Sequence, residues 1–306
     1  MAITASAVKE LRERTGAGMM DCKKALVEND GDLEVAADYL RAKGIAKAAK
    51  KADRVAAEGL VGASVSADAK QGGLVEVNSE TDFVARNDEF KSFVDDLAAH
   101  TVVAKAATAE ALLASELGGT AVEELRKAKI ASIGENINVR RAVYVSLDAP
   151  GVVANYIHGG GTIGVLTTVL SESDVDATGP VADLARDVAL HIAASNPLYV
   201  SADEIEPAVL ERERAVLVAQ AIESGKPADI AEKMVVGRMK KFSKEICLLD
   251  QPFVKNPDVT IQGEIDRVSS EVGQKLTFGV FHRFKCGEGI EKVESNLAEE
   301  VAAQLK

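Results

Sequence analysis

The residues best suited to recognition chemistry lie in a polar turn that contains one large apolar side chain. The turn is the stretch 79–87, Ser-Glu-Thr-Asp-Phe-Val-Ala-Arg-Asn, in which Phe83 stands next to the carboxylate of Asp82. It follows a short apolar strand pattern at 74–77 and precedes an amphipathic helix pattern at 90–97. Turns between such elements are where proteins present side chains to partners. Because large apolar residues are mostly buried, the spacing alone favours Phe83 packed into the core of its own domain.

A glycine-rich motif at 159–164, Gly-Gly-Gly-Thr-Ile-Gly, matches the G-x-G-x-x-G pattern of dinucleotide sites. In such a site the last glycine opens a helix whose N-terminus holds the pyrophosphate. Here residues 165–169, Val-Leu-Thr-Thr-Val, continue as a strand. The pattern therefore predicts a β-hairpin turn in which glycine supplies positive φ angles, and an oxidoreductase interpretation fails on context.

Motifs for covalent catalysis and metal binding are missing from the sequence. There is no G-x-x-x-x-G-K-[ST] phosphate loop, no G-x-S-x-G, no H-E-x-x-H and no acidic pair that stands out as a catalytic dyad. The cysteines Cys22, Cys247 and Cys286 lie far apart without C-x-x-C spacing, which fits reduced thiols in the cytoplasm. The histidines show no metal-ligand spacing. We expect a protein that is not an enzyme and has no metal site and no cofactor.

Composition excludes further classes of function. The chain has 306 residues, 47% of them hydrophobic, which suits a soluble globular protein of about two or three domains. No apolar run approaches the roughly 18 residues that a membrane span needs, and the N-terminus lacks a signal-peptide pattern. With 36 basic against 48 acidic residues and 4% aromatics, the chain lacks the basic footprint and stacking platforms of a nucleic-acid binder. We expect a cytoplasmic protein that contacts neither nucleic acid nor membrane.

Residues 1–54 predict a small helical domain followed by a linker. Apolar side chains recur at helical spacing in three short segments. Asp32 can cap the third helix by accepting a backbone hydrogen bond, and Gly44 is placed to end it. A three-helix unit of this size resembles a ubiquitin-associated (UBA) domain. The Ala- and Lys-rich stretch up to Arg54 is interpreted as a solvated linker helix.

Residues 55–202 contain a divergent repeat of a β-hairpin packed by a helix. Each copy has two strand patterns and then a helix pattern, at 58–65, 73–77 and 90–97 in the first and at 150–157, 163–169 and 184–192 in the second. The fold class is therefore α+β, with a duplicated core of antiparallel sheets and helices.

Two further elements complete this core. A helix is predicted to start at Thr120, where Glu123 would complete a capping box, and to end near Gly134. Apolar residues that alternate with their neighbours predict a strand that completes the second sheet: Leu276, Phe278, Val280 and Phe284.

Residues 205–254 interrupt the second half with two helices. A break at 225–227, Gly-Lys-Pro, separates the first helix from a second whose apolar residues are spaced four, three, four and three: Val235, Met239, Phe242, Ile246 and Leu249. This heptad spacing predicts a protruding antiparallel helical hairpin, of the kind that packs on its own domain or forms a coiled coil. The sequence thus predicts an N-terminal unit at 1–54 and a first core half at 55–145. The second core half is in two parts, 146–204 and 255–290, around the hairpin at 205–254, and a C-terminal helical module follows at 291–306.

Blocks along the whole chain resemble bacterial elongation factor Ts, the guanine-nucleotide exchange factor for elongation factor Tu. The signature block is Thr-Asp-Phe-Val-Ala-Arg at 81–86. Other blocks follow the family's order, at 11–26, 133–141, 224–234, 237–242, 251–254 and 287–292. Parts of 100–120 and 170–180 do not match the family closely.

The resemblance implies a role for each residue of the polar turn. Asp82 and Phe83 would form a wedge that inserts between helices of the partner's GTPase domain. Thr81 would cap and orient the turn, and Val84 would pack beneath it. The wedge would dislodge Mg²⁺ from elongation factor Tu and so release GDP. The alternative is a translation-associated adaptor that holds its partner without promoting nucleotide exchange.

The resemblance also implies partner-binding residues outside the turn. By pattern alone Met19 and Met20 are unremarkable core residues, but as exposed residues they would form an adaptable apolar patch to which Leu11 would also belong. His158, which precedes the glycine turn, is either a half-buried turn histidine or, as the resemblance implies, a contact to elongation factor Tu. The family's helical hairpin can serve dimerisation, so a homodimer through residues 205–254 is a further expectation.

Overall fold

A computed structural model of the chain describes residues 3–225 and 228–291. The predicted C-terminal module, 291–306, lies outside these residues except for its first position, as do two positions of the predicted hairpin break, 226–227. Within the described ranges the chain combines helices with antiparallel sheets, which agrees with the predicted α+β class. No helix in these ranges is both long enough and apolar enough to span a bilayer.

Three helices form the N-terminal unit: α1 (Ala5–Thr15), α2 (Met19–Glu28) and α3 (Leu33–Ala49). The carboxylate of Asp32 accepts hydrogen bonds from the backbone N–H groups of Glu34 and Val35, at 2.9 and 3.0 Å, which confirms the predicted cap. The prediction that Gly44 ends the third helix is wrong, because α3 continues past it to residue 49. The missing side chain at Gly44 instead permits close packing on Ala131, whose Cβ would lie 3.4 Å from an added Cβ.

The first half of the core is a three-stranded antiparallel sheet covered by helices. Its elements are, in chain order, β1 (Glu58–Val65), β2 (Gln71–Ser79), α4 (Asp82–Ala85), α5 (Asp88–Val103), α6 (Ala109–Ala114), β3 (Glu116–Leu117), β4 (Thr120–Ala121), α7 (Val122–Ile133) and β5 (Ile137–Ser146). The strand order is β1-β2-β5, and α5 packs on β1 and β2 with Phe90, Phe93 and Leu97 in the core. The two predicted strands and the predicted helix are confirmed, whereas β5 was not predicted.

Helix α7 begins later than the sequence predicts. Thr120 belongs to β4 and the N-cap position falls on Ala121, which makes no side-chain cap, so the predicted capping box is wrong. Glu123 instead accepts two hydrogen bonds from the guanidinium of Arg126, at 2.7 and 2.8 Å. The helix does end where predicted, at Gly134, which has a left-handed φ of 91°.

The second half of the core repeats this arrangement with an insertion. Its elements are β6 (Gly151–His158), β7 (Ile163–Ser171), α8 (Pro180–Ser195), α9 (Pro207–Glu223), α10 (Ala228–Ile246), β8 (Pro252–Phe253), β9 (Asn256–Thr260), α11 (Ile261–Val272) and β10 (Leu276–Lys285). The strand order is β10-β7-β6, all antiparallel, and α8 packs on β6 and β7. Each half therefore consists of a hairpin, a covering helix and a third antiparallel strand that is added later in the chain.

The two sheets pack against each other through a shared apolar cluster. Its buried members are Val61 and Leu74 from the first sheet and Val153 and Leu166 from the second. Glycine makes the approach close enough, since a Cβ added at Gly164 would overlap Cγ1 of Val61. Each half thus keeps its own core, and the two halves meet through this apolar interface.

Strand β10 completes the second sheet as predicted, but its alternation is interrupted. Its register on β7 shifts between Phe278 and Phe281, as in a β-bulge. Val280, which strict alternation places with Leu276 and Phe278, is therefore exposed, and Phe281 packs against the core instead.

Helices α9 and α10 contact each other, with Ala221 and Val235 buried. The chain enters and leaves this pair at neighbouring points, because the backbone N–H of Leu198 donates to the carbonyl of Ile246 at 2.8 Å. Leu249, the last residue of the predicted heptad, is not part of α10. It lies in a 3₁₀ turn that follows the helix.

Candidate functional site

One turn of helix, α4, carries the predicted wedge between β2 and α5. Its four residues face in two directions. Val84 and Ala85 are buried in the apolar cluster of the first core half, whereas 78% of Phe83 is exposed. The interpretation that Phe83 packs into its own core is therefore wrong. The inward pair anchors the turn and leaves Phe83 accessible to another molecule.

Thr81 occupies the N-cap position of α4, but its hydroxyl does not cap the helix. Its Oγ1 donates to Oε1 of Glu135 at 2.6 Å, and its backbone N–H donates to Oε2 of the same carboxylate at 2.9 Å. Thr81 therefore holds the turn through a carboxylate from the loop after α7 rather than through a side-chain cap.

Asp82 makes a local ion pair with Arg86. The carboxylate Oδ2 lies 2.7 Å from Nη2 of Arg86, and the two side chains are 48% and 75% exposed. Exposed pairs at this helical spacing contribute only about 0.3–0.5 kcal/mol. A partner molecule can therefore displace Arg86 from Asp82 at little energetic cost.

A second carboxylate joins the same two segments. Oε1 of Glu80 accepts the backbone N–H of Asn136 at 2.6 Å. The Asn136 side chain in turn donates to the carbonyl oxygens of Ala52 and Arg54, at 3.3 and 2.8 Å. The residue before the predicted wedge, the loop after α7 and the end of the predicted linker thus meet at Asn136. Sequence reasoning assigned no role to Glu80, Glu135 or Asn136, because these bonds join residues more than 50 positions apart.

The predicted N-terminal patch is present only in part. Met19 and Met20, at the start of α2, are 56% and 75% exposed. Leu11 is fully buried among the three helices and cannot offer its side chain to a partner, so its place in the patch is wrong. The physical reason is that Leu11 lies three residues after Val8 and shares its inward face on α1.

His158 is the last residue of β6 and is exposed. Its Nδ1 lies 3.2 Å from the hydroxyl oxygen of Tyr156. The glycines that follow, at 159–161, have φ angles of 58°, 66° and 101°, and β7 begins two residues later, which confirms the predicted hairpin turn. The structure thus leaves the imidazole accessible at the tip of this hairpin rather than half-buried.

A buried carboxylate ties the last described residues to the first sheet. Glu76 on β2 is fully buried and accepts hydrogen bonds from Arg140, Arg141 and the backbone N–H of Gly287, at 3.2, 2.5 and 2.8 Å. Burial would raise the pKa of Glu76, but the bond from Gly287, together with those from Asn78 and Arg141, holds it below its ordinary value. An ionised Glu76 therefore fixes the point at which the chain leaves the core towards its C-terminus.

The thiols and acidic groups offer little for covalent or metal chemistry. Cys22 and Cys247 are buried free thiols, and burial raises the pKa of Cys286 to about 12, so that its thiol stays protonated and unreactive. Over the part of the chain that the structure describes, no group of three or more His, Cys, Asp or Glu side chains is arranged to hold a metal ion.

Comparison with known proteins identifies the family. The family model described as Elongation factor TS matches residues 80–288, more than half of the chain. This chain belongs to the elongation factor Ts family. It is 52% identical over 302 residues to Elongation factor Ts of Clostridium perfringens, covering 98% of both chains. It is 49% identical over 306 residues to Elongation factor Ts of a Nitratiruptor species, covering 100% of both.

Family membership assigns the chain to protein biosynthesis, as a translation elongation factor. The resemblance predicted from the sequence is thus confirmed. The family model includes α4 and the loop after α7, so the predicted wedge and the Glu135 carboxylate that bonds Thr81 both lie inside the matched region. The N-terminal unit lies outside that model but inside the nearly full-length matches to the relatives.

Proposed function

We propose that the chain is a guanine-nucleotide exchange factor that binds GDP-bound elongation factor Tu and accelerates release of the nucleotide. The observation that carries this proposal is Phe83, 78% exposed on a turn that the buried Val84 and the Thr81–Glu135 bonds hold in place. An apolar side chain on a rigid support is suited to enter a gap in a partner, because insertion removes it from water. No covalent step is required, so the protein acts through binding alone.

The wedge acts on the metal ion that the partner holds. Mg²⁺ requires near-octahedral geometry, and in GTPases it bridges the nucleotide phosphates to protein ligands. If Phe83 separates the helices that support those ligands, the partner holds both the ion and GDP less tightly. Asp82 beside it can exchange its weak contact with Arg86 for a donor on the partner.

Contacts outside the wedge must help to offset the strain in the partner. A ~10⁴-fold faster release requires a barrier lowered by about 5.5 kcal/mol. Scaled by their exposed fractions of 78, 56 and 75%, burial of Phe83, Met19 and Met20 contributes about 3–6 kcal/mol in total. Association itself consumes several kcal/mol. The methionine patch is therefore needed in addition to Phe83, and further contacts such as His158 must supply the remainder.

Binding energy and nucleotide affinity are reciprocally linked. If the chain lowers the partner's affinity for GDP by a given factor, GDP lowers the partner's affinity for the chain by the same factor. The nucleotide-free complex is therefore the tightest one, and incoming nucleotide dissociates it.

The remaining structural assignments follow from the same family membership. We assign the N-terminal helices to a UBA-like unit and the α9–α10 pair to a hairpin through which two copies can dimerise. Both helices of that pair expose apolar side chains, including Val216 and Ile222 on α9 and Val236 on α10. We also propose that the chain acts in the cytoplasm on a protein partner, and its net charge of −12 argues against direct contact with nucleic acid or membrane.

Release of fluorescent GDP from purified elongation factor Tu tests the proposal. The chain should accelerate release catalytically, and Phe83→Ala should slow it. Val103→Ala, which trims another apolar side chain that is 77% exposed, provides a matched control and should leave release unchanged. A chain that binds elongation factor Tu without changing the release rate would be the adaptor instead.

A further inference from the structure

We propose that Glu135 is a positioning residue for the wedge: its carboxylate sets the orientation of α4 and thereby the direction of Phe83. This inference rests on the proposed exchange function, because it concerns how the wedge is held. It also makes a prediction about the isolated chain that does not depend on the partner.

The wedge helix is too short to hold its orientation without support from its surroundings. α4 has four residues, a single turn, and isolated turns of helix are unstable because nucleation fixes several dihedral angles for one hydrogen bond. Phe83 is 78% exposed, so its own packing restrains it little. The direction of its side chain therefore depends on the buried Val84 and Ala85 beside it and on what fixes the backbone at the start of the turn.

Glu135 fixes that start at two points. Its two carboxylate oxygens accept the hydroxyl and the backbone N–H of Thr81, at 2.6 and 2.9 Å. A carboxylate that accepts two bonds from one residue restrains rotation as well as position, and bonds to a charged acceptor are stronger than neutral ones. Thr81 immediately precedes α4, so this restraint is passed directly to the wedge.

The loop that carries Glu135 is itself held from both sides. Gly134 ends α7 in a left-handed conformation, and its carbonyl accepts a hydrogen bond from the ammonium of Lys51. The backbone N–H of Asn136 donates to Glu80 at 2.6 Å. Hydrogen bonds therefore connect the wedge segment and the loop after α7 in both directions: Glu135 accepts from Thr81, and Glu80 accepts from Asn136.

Loss of this restraint should affect the exchange step more than binding. The carboxylate of Glu135 bonds Thr81 and not α2, which carries the methionine patch, so we expect the patch to keep its geometry when that carboxylate is removed. A loosened turn must be ordered again each time Phe83 enters the partner, which raises the barrier to nucleotide release. We expect the saturated rate of GDP release to fall about fivefold to tenfold in Glu135→Ala, or about 1–1.4 kcal/mol in barrier height.

The test uses the full chain and a small set of variants. Glu135→Ala removes both acceptors. Thr81→Val removes the hydroxyl donor but keeps the N–H, and Thr81→Ser keeps both donors and should restore the wild-type rate. Combining Glu135→Ala with Thr81→Val should slow release by less than the product of the two single effects, because both break one contact. Asp96→Asn, which neutralises an exposed carboxylate on α5, is the control.

Two measurements separate this inference from the proposed function. In the isolated chain, hydrogen exchange of the Thr81 amide should accelerate at least tenfold in Glu135→Ala, while amides of β2 and α5 keep their protection. With the partner, the saturated release rate should fall while the dissociation constant of the nucleotide-free complex changes less than twofold.

Wild-type amide protection and release rate in Glu135→Ala would overturn the positioning role and leave the exchange function intact. Uniform loss of protection across the first core half would also overturn it, since Glu135 would then be a stability residue. If Phe83→Ala itself releases GDP at the wild-type rate, the wedge mechanism fails, whatever Glu135 does.

Discussion

Truncation of Phe83 tests whether this residue serves recognition of a partner or packing of its own core. Phe→Ala at a fully buried site costs about 3–5 kcal/mol of stability. Because 78% of Phe83 is exposed, truncation removes the packing of only about a fifth of the side chain, which scales the cost of Phe83→Ala to about 0.6–1 kcal/mol. Phe90, on the next helix, is fully buried and serves as the matched comparison. Phe90→Ala should cost the full amount.

Two assays applied to the same protein samples give the answer. Thermal melts should show a small shift for Phe83→Ala and a large one for Phe90→Ala. Stopped-flow release of fluorescent GDP should show a slowed rate for Phe83→Ala at saturating concentration. Asp82→Ala should show a smaller defect, since Asp82 already has a local partner in Arg86. The double variant should be less than additive because the two residues act as one unit.

The refuting pattern is the reverse of the expected one. If Phe83→Ala lowered the melting temperature as much as Phe90→Ala and released GDP at the wild-type rate per folded molecule, Phe83 would be a structural residue. The exposure of its ring would then have no bearing on exchange.

Three further predictions concern the rest of the molecule. Met19→Asp combined with Met20→Asp should weaken binding to elongation factor Tu about 30- to 700-fold while leaving the saturated release rate largely intact, because each change removes a partly exposed apolar contact worth roughly 1–2 kcal/mol. Titration of the release rate against chain concentration measures both quantities, and normal affinity with a collapsed saturated rate would contradict the assignment. Replacing 208–242 with a short Gly/Ser linker should leave a core that is folded by circular dichroism and still binds elongation factor Tu, because the segments that flank the hairpin are hydrogen-bonded to each other. Loss of the folded spectrum would show that the hairpin belongs to the core. Stability should fall as the pH drops below about 6.5, because burial lowers the pKa of His191 in the folded state. The His191 ring accepts a hydrogen bond from the backbone N–H of Val254 and lies 2.8 Å from Gln251, so the folded state resists the proton that the unfolded state accepts. A urea midpoint equal at pH 7.5 and 5.5 would rule this out.

Several features encoded by neighbouring residues were predicted correctly from the sequence, although the capping box at Thr120 and the helix end at Gly44 were not. The cap at Asp32, the glycine turn at 159–161, the strands at 58–65 and 163–169 and the stripe of α5 each depend on side chains within a few positions of one another. Such patterns report the period of a helix or strand and the φ angles that a turn requires, which are local properties. The family could be recognised for a similar reason, since its blocks are contiguous stretches of sequence.

Features that depend on which face of an element meets the core were predicted less well. Leu11 and Phe83 are both large and apolar, yet one is fully buried and the other 78% exposed. Leu11 shares the inward face of α1 with Val8, which two other helices cover, whereas Phe83 projects from the side of α4 that faces away from the core. The bulge in β10 likewise moved Val280 out of the core through its register on another strand.

The chain's local sequence thus specified its elements, its turns and its family, because these depend on residues within one or two turns of each other. Only the tertiary structure brought Glu135 to Thr81, 54 positions away, and Gly287 to Glu76, 211 positions away. A hydrogen bond between distant residues leaves no periodic trace in a single sequence, since either partner alone is an ordinary polar residue. The candidate wedge was therefore visible in the sequence, whereas the hydrogen bonds proposed to position it form only once the loop after α7 has folded against the end of β2.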